Sequence, residues 1–374
     1  MAPVIRELRT RAGFQTILLS TAQHRQMLDQ VLNVFGLRAD IDLNAMRPNQ
    51  DLGELTGRLI EGVQRCMIEC RPDLVLAQGD TTTVLATALA ALYCRVPLAH
   101  VEAGLRSGDL QNPYPEEANR RVTSVLADVH FAPTPLAAGA LAQEGISDER
   151  VVVTGNTVVD AVKLMLAAPF DWRDSVLPDL PNGDRLLLVT SHRRESWGQE
   201  LENICLAIRE LVVMFRGLHV LYPVHLNPQV RATVHSMLAD VERVHLTQPL
   251  DYPTFVNVMR RSTLILTDSG GVQEEAPTLR KPLLVLRRVT ERPEAFRAGL
   301  SKVIGTTHTT IVDEVSRLLT DDKAYAAMTT GTNPFGDGRA AQRIVRAVER
   351  WSCGARPLLE ADEQFGREPV MAYP

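Results

Sequence analysis

The chain has few cysteines, no long apolar run and no excess of positive charge, and each shortage excludes something. Only five of its 374 residues are cysteine (Cys66, Cys70, Cys94, Cys205 and Cys353), with no CxxC pair and no zinc-ligand spacing. That excludes a disulfide scaffold and a zinc domain, and a reducing compartment, the cytoplasm, fits. Cys66 and Cys70 fall on one face of a predicted helix, as packing residues do. No stretch approaches the roughly 18 consecutive apolar residues of a membrane span. The opening MAPVIRELRTRAG lacks the apolar core of a signal peptide. No membrane partner is therefore expected. Lysine and arginine number 40 against 45 aspartates and glutamates, a net charge of −5. This balance argues against a nucleic-acid partner, yet leaves room for a local basic pocket around one phosphorylated ligand.

What is present is an ordinary globular composition, 45% hydrophobic and 23% charged, in a chain long enough for two α/β domains. Apolar, β-rich runs alternate with helical patterns. Strands are expected at Phe14–Ser20, Asp73–Ala77, Val96–Val101, His130–Ala132 and Arg150–Val153, with helices at Gln23–Phe35, Leu55–Cys70 and Thr83–Tyr93. Three prolines, a glycine and four aspartates interrupt the rhythm over 167–184, which reads as a linker. The pattern restarts with strands at Arg185–Thr190, Leu218–Tyr222, Val244–Leu246, Thr263–Thr267 and Leu283–Leu286. This rhythm predicts an α/β fold of two doubly wound, Rossmann-like domains facing a cleft. The domains are expected over 1–166 and 185–337. A final helix over 338–351 would be free to pack back on the first domain, and 352–374 reads as a loose tail. One feature departs from the pattern. The chain opens on a helix, Pro3–Arg11, so the first domain lacks the central strand that usually begins such a fold.

Ligands of open parallel sheets bind outside the carboxyl ends of the strands, so polar residues there are the candidates. Asp80 follows the second strand in Gln78-Gly-Asp-Thr-Thr-Thr83, and Glu102 follows the third in Val101-Glu-Ala-Gly-Leu-Arg106. Glu116 and Glu117 open a helix after Pro113 and Pro115, where the helix dipole favours carboxylates. Carboxylates gathered at neighbouring strand ends perturb one another and suit proton transfer, which makes Asp80, Glu102 and Glu116 catalytic candidates. His192 opens the basic loop Ser191-His-Arg-Arg-Glu-Ser-Trp-Gly198, an anion-site pattern, and ranks above His225 of Pro223-Val-His-Leu-Asn-Pro228. In Asp268-Ser-Gly-Gly-Val-Gln-Glu-Glu-Ala-Pro277, the N–H groups of Ser269, Gly270 and Gly271 form a cradle at a helix start. Glu275, one turn on, is placed to accept ribose hydroxyls. Arg292 lies near the same rim.

Taken together these segments resemble the non-hydrolysing UDP-N-acetylglucosamine 2-epimerases. The stretches TAQHRQMLD, GDTTTVLAT, HVEAGLRSGD, PEEANR, TGNTVVDA, HRRES, YPVHLNP, LTDSGGVQEEAP, TERPE and NPFGDG run collinearly from about Met1 to Trp351. The resemblance implies a glycosyltransferase-B-type fold, a homodimer, and no NAD or metal cofactor. It implies anti elimination of UDP from UDP-N-acetylglucosamine to leave 2-acetamidoglucal, then re-addition to give UDP-N-acetylmannosamine. By the same likeness Asp80, Glu102, Glu116 and His192 are catalytic. Ser269, Gly270, Gly271 and Glu275 contact the nucleotide, with Arg106 and Arg292 as further substrate-binding candidates. Gln23, His24 and Gln26 match an allosteric pocket of some members. Members begin with a strand and a loop reading GTRPEAIK, whose arginine and lysine hold the phosphates; this segment is expected to lie upstream of Met1. Arg288-Val289 stands where Asp-Thr is usual. A sugar transferase of the same architecture, or a non-catalytic binder of the sugar nucleotide, are the other readings. The three carboxylates separate the epimerase from the transferase.

Overall fold

The structure is a computed structural model; it describes all residues except 22–24, 48–49, 173–182, 194–196, 291 and 367–374, and the side chains of 25–27 are also outside the description. It divides into two compact units: Met1–Ala161 with Phe335–Pro374, and Val162–Pro334.

In unit 1 the order is α1 (Ala2–Arg9), β1 (Leu19–Ser20), α2 (Arg25–Val34), β2 (Ile41–Asp42), α3 (Leu52–Cys70), β3 (Val75–Gln78), α4 (Thr82–Cys94), β4 (Leu98–Val101), α5 (Glu116–Leu126), β5 (Val129–Ala132), α6 (Pro135–Gln143), β6 (Val151–Val153) and the first part of α7 (Thr157–Ala167). Strands β3 to β6 form a parallel four-stranded sheet in sequence order, while β1 and β2 pair in a separate parallel ladder. The strand expected over Phe14–Ser20 contracts to Leu19–Ser20, because only there does the chain meet a partner, β2. The two ladders are close neighbours, since Leu19 packs in one cluster with Val75 of β3.

Unit 2 carries β7 (Arg185–Thr190), α8 (Gln199–Met214), β8 (Leu218–Pro223), α9 (Pro228–Leu238), β9 (Val244–Thr247), α10 (Tyr252–Arg261), β10 (Leu264–Thr267), α11 (Gly270–Glu275), β11 (Leu283–Val285), α12 (Pro293–Arg297), β12 (Ser301–Val303), α13 (His308–Thr320) and α14 (Asp322–Ala327). Its six strands run in the order β12-β11-β10-β7-β8-β9, all parallel. This is the doubly wound order, with the connection reversing direction between β7 and β10. Both faces are covered, which is why Leu186, Leu187, Leu188 and Val189 are all fully buried rather than alternating.

After unit 2 the chain returns as α15 (Ala340–Ser352), whose Ile344, Val345 and Val348 share a core with Val4 and Leu8 of α1 and with β4 and β5. Asp160, in α7, receives the chain there: its carboxylate accepts the first N–H groups of α15, from Ala340 at 3.1 Å and Ala341 at 2.9 Å. The stretch after 352, expected to be a loose tail, is docked as far as Gly366. Leu358 and Leu359 lie in the same core, and Phe365 donates its N–H to the Val153 carbonyl. Two leucines without a period gave no signal of this burial. Among the described residues no helix is long and apolar enough to cross a membrane.

Leu359 is only 2% exposed, so Leu359→Ala is expected to lower unfolding stability by about 2–5 kcal/mol. Urea denaturation measures it. A loss below about 0.5 kcal/mol, the level of an ordinary surface change, would show that this segment is not part of the core.

Candidate functional site

Two sets of polar residues stand at the carboxyl ends of strands, one in each unit. In unit 1, parallel register aligns Gln78 of β3 with Val101 of β4, so Asp80 and Glu102 leave the sheet side by side. Gly79 turns with φ +86°, and a Cβ there would lie 3.8 Å from Glu102 Oε2. Its carbonyl receives the Nε2 of buried His100 at 2.8 Å; burial pushes that imidazole down to about 4, so it is neutral and donates. Glu102 adopts φ +65°, a left-handed conformation a side chain adopts only at a cost, and such strain gathers at functional sites. Gln78 Nε2 donates to Glu102 Oε2 at 3.1 Å.

Asp80 is tied to α5. Arg120 donates to its Oδ2 from Nε at 3.0 Å and Nη2 at 2.6 Å, and Asn119 donates to its carbonyl at 2.8 Å. Arg120 in turn leans on Glu117, a fully buried carboxylate that also accepts the N–H groups of Ser107 and Gly108. Burial pushes the Glu117 carboxyl up, but these donors outweigh it and hold the group below the usual range. Glu116, the first residue of α5, is different: its Oε2 is buried with no hydrogen-bond partner among the described residues. An orphaned carboxylate oxygen at the start of the helix that ties down Asp80 is a candidate ligand contact.

Arg106 does not join these three. Its guanidinium is taken up by Glu144 at 2.7 and 2.8 Å, by Ser124 and by the Leu105 carbonyl. Gln23 and His24 lie outside the described residues, and Gln26 sits in α2 with its side chain outside the description.

In unit 2 the second set lies where the strand order reverses, between β7 and β10. His192 follows β7 and the turn Asp268–Gly271 follows β10, joined by a hydrogen bond from the Asp268 N–H to the Thr190 carbonyl at 3.2 Å. The turn leads into α11, with Ser269 at its cap. The three-residue N–H cradle needs correcting: the Ser269 N–H already donates to Thr267 Oγ1 at 3.0 Å, which leaves Gly270 and Gly271 at the mouth of the turn. A Cβ on Gly270 would sit 3.7 Å from Arg193 Nη2, so this arginine reaches the turn. The His225 ring centroid is 6.1 Å from that of His192. Arg292 forms an ion pair with buried Glu274 through Nε, and Thr290 donates to Gln273 at 2.5 Å. Glu275 is 8% exposed. Burial pushes its carboxyl up to about 7, with a contribution from Glu274, while the Tyr252 hydroxyl opposes the shift.

Sequence reading assigned no role to Asp268, Arg120, Asn119, Glu117 or Tyr252. Asp268, Arg120, Asn119 and Glu117 stood inside the motifs, but apart from the Glu117–Arg120 and Glu117–Arg121 pairs within α5 their partners lie in other segments of the chain.

A doubly wound sheet with a glycine turn, histidine and arginine at its reversal point defines an α/β protein of the nucleotide-binding class. The particular family follows from comparison with known proteins. The profile described as UDP-N-acetylglucosamine 2-epimerase matches residues 6–349. The UDP-N-acetylglucosamine 2-epimerase of Salmonella typhimurium is 48% identical over 364 residues, covering 94% of this chain and 95% of that protein. The enzyme of the same name from Escherichia coli is 48% identical over 355 residues, covering 93% and 94%. The solved structure of UDP-GlcNAc 2-epimerase from Neisseria meningitidis bound to UDP-GlcNAc superposes with a TM-score of 0.87 at 43% identity, covering 94% of this chain and 96% of that one. The Methanocaldococcus jannaschii enzyme in complex with UDP-GlcNAc and UDP gives 0.77 at 32% identity, covering 93% and 95%. The chain belongs to the UDP-N-acetylglucosamine 2-epimerase family.

Glu275 yields a pH prediction. Its carboxyl titrates near 4.5 when unfolded and near 7 when folded. Between these values the unfolded chain binds fewer protons, so stability from this site falls as pH rises through the window, and the penalty is complete above it. Glu275→Gln is expected to match the parent at about pH 4 and exceed it by roughly 1–3 kcal/mol at about pH 8. Urea unfolding at both pH values checks this; an equal difference at the two would refute it.

Proposed function

We propose that this chain reversibly converts UDP-N-acetylglucosamine to UDP-N-acetylmannosamine by eliminating UDP and adding it back. The observation that carries the reading is the trio Asp80, Glu102 and Glu116, with Glu116 Oε2 buried and unpartnered, in a chain of this family. A carboxylate removes the proton from C2 as the C1–O bond breaks and UDP departs, leaving 2-acetamidoglucal. A protonated carboxyl then returns a proton to the opposite face of C2 as UDP re-adds at C1. The departing diphosphate is an anion and needs N–H and cationic support, which His192, Gly270 and Gly271 supply, with Ser269 capping their turn. Glu275 receives the ribose hydroxyls, and Arg292 keeps neighbouring Glu274 neutralised. Arg106 acts at one remove, by bracing the loop after Glu102. A sugar transferase would need the nucleotide turn but not three carboxylates.

Three finer readings belong with this one. The resemblance carries an allosteric pocket formed by Gln23, His24 and Gln26. It also carries a central strand and phosphate-gripping loop missing from unit 1; the separation of the β1–β2 ladder from β3, despite shared packing, supports that. Assaying this chain beside a version extended upstream with the GTRPEAIK-type segment tests it, and equal activity would refute it. The third is a homodimer. Tyr93 of α4 and Val125 of α5 are 60% and 74% exposed, with Leu92 and Val122 also uncovered on these packed helices. Such a patch suits a second copy of the chain.

Glu102→Gln is expected to abolish exchange of solvent deuterium into C2 while UDP affinity stays within about threefold, because the lost group acts on the sugar alone. Unchanged exchange would remove Glu102 from the mechanism. Tyr93→Asp combined with Val125→Asp is expected to convert a dimeric mass to a monomeric one in light scattering. A monomeric parent would end the dimer reading.

A further inference from the structure

Beside the nucleotide turn of unit 2 lies a buried carboxylate to which the resemblance gives no task. Asp268 is fully buried, one residue past β10, where the ladder pairs Thr267 with Thr190. That register sets it against the first residues after β7. Its carboxylate accepts hydrogen bonds from the Ser191 hydroxyl at 3.0 Å, the His192 N–H at 2.9 Å and the Arg193 N–H at 3.0 Å. Its Oδ1 lies 3.1 Å from His192 Nδ1, while the His192 side chain is 43% exposed. One edge of the ring is therefore held by a carboxylate and the rest is open. Burial pushes the Asp268 carboxyl up, but His192 and the two backbone N–H groups outweigh it and hold the group below the usual range. An ionised carboxylate only accepts hydrogen bonds, so the ring nitrogen facing it carries a proton.

We propose that Asp268 is a positioning residue of the epimerase: it fixes the His192 ring with a proton on Nδ1 and so presents Nε2 to the leaving diphosphate. This rests on the reaction proposed above. The two ring nitrogens are distinct, and the partner of one decides what the other offers. The same carboxylate pins the backbone of His192 and Arg193, so ring and loop share one anchor. Without it the ring is free to turn, and a group misplaced by about 1 Å loses much of its effect on the reaction.

Asp268→Asn keeps the side-chain shape and removes the charge. In it kcat is expected to fall about 10²-fold or more, with KM changed less than about threefold. In a His192→Ala background the same substitution is expected to cost less than about threefold, because the residue it acts through is already gone. Nitrogen-15 NMR of the unaltered protein is expected to place a proton on His192 Nδ1. An equal loss in both backgrounds would make Asp268 a general scaffold residue and overturn the proposal. A His192 ring protonated on Nε2 alone would overturn it as well, and that measurement stands even if Asp268→Asn fails to fold. Lack of epimerase activity in the unaltered protein would overturn reaction and role together, whereas the NMR result bears on the role alone.

Discussion

The parallel register between neighbouring strands is the constraint on which both candidate sites depend. Each ladder brings the carboxyl ends of two chain segments level, so residues far apart in sequence leave the sheet together. Gln78 opposite Val101 sets Asp80 beside Glu102, and Thr190 opposite Thr267 sets His192 beside Asp268. Because side chains alternate across a strand, a slip of one residue would reverse their facing and dissolve both arrangements. Burial of the Leu186–Val189 run in unit 2 and of Leu98–Val101 in unit 1 locks these registers, so the hydrophobic core specifies both arrangements as well as the fold.

A buried carboxylate costs several kcal/mol unless donors surround it, and the chain answers this case by case. Asp268 has a hydroxyl, two N–H groups and an imidazole. Glu117 has two N–H groups and two arginines, and Glu274 has Arg292. These groups are locked. Glu116 Oε2 and the Glu102 backbone, at φ +65°, are left in costly states. A left-handed residue with a side chain costs about 1–2 kcal/mol, which the surrounding packing must offset. The contrast separates carboxylates locked by donors from two that the proposed mechanism uses.

Much of this was legible in the sequence, for identifiable reasons. The strand Arg185–Thr190 was read with the bounds the structure gives it, because a fully buried strand is a continuous apolar run between polar turns. The turns carrying Asp80, Glu102 and Asp268 were legible because glycine and proline punctuate them. Short edge elements were not: Ser301–Val303 pairs on one side only and has three residues. Nor did any period announce that Leu358 and Leu359 would be buried. Charge pairing was the least legible. By sequence Arg106 is a substrate-binding candidate and Arg120 is given no role, yet Glu144 takes up the first and Asp80 the second. Such choices depend on which helix crosses which loop, and no local pattern encodes that.

The division of chemistry between the units has its own logic. A carboxylate base and a leaving diphosphate are both anions, and at 4 Å two unit charges of like sign repel by about 4 kcal/mol at an effective dielectric of 20. A site that held both on one turn would oppose its own ligand. Asp80, Glu102 and Glu116, the carboxylates proposed for proton transfer, stand in unit 1, and His192, Arg193 and the N–H groups of Gly270 and Gly271, the groups proposed to meet phosphate, stand in unit 2. The acids that unit 2 does bury are disarmed, Asp268 by its donors, Glu274 by Arg292, and Glu275 by holding its proton up to about pH 7. A neutral carboxyl there suits the nucleotide contact proposed for Glu275, because it does not repel phosphates, so its raised proton affinity costs folding stability but fits the proposed ligand.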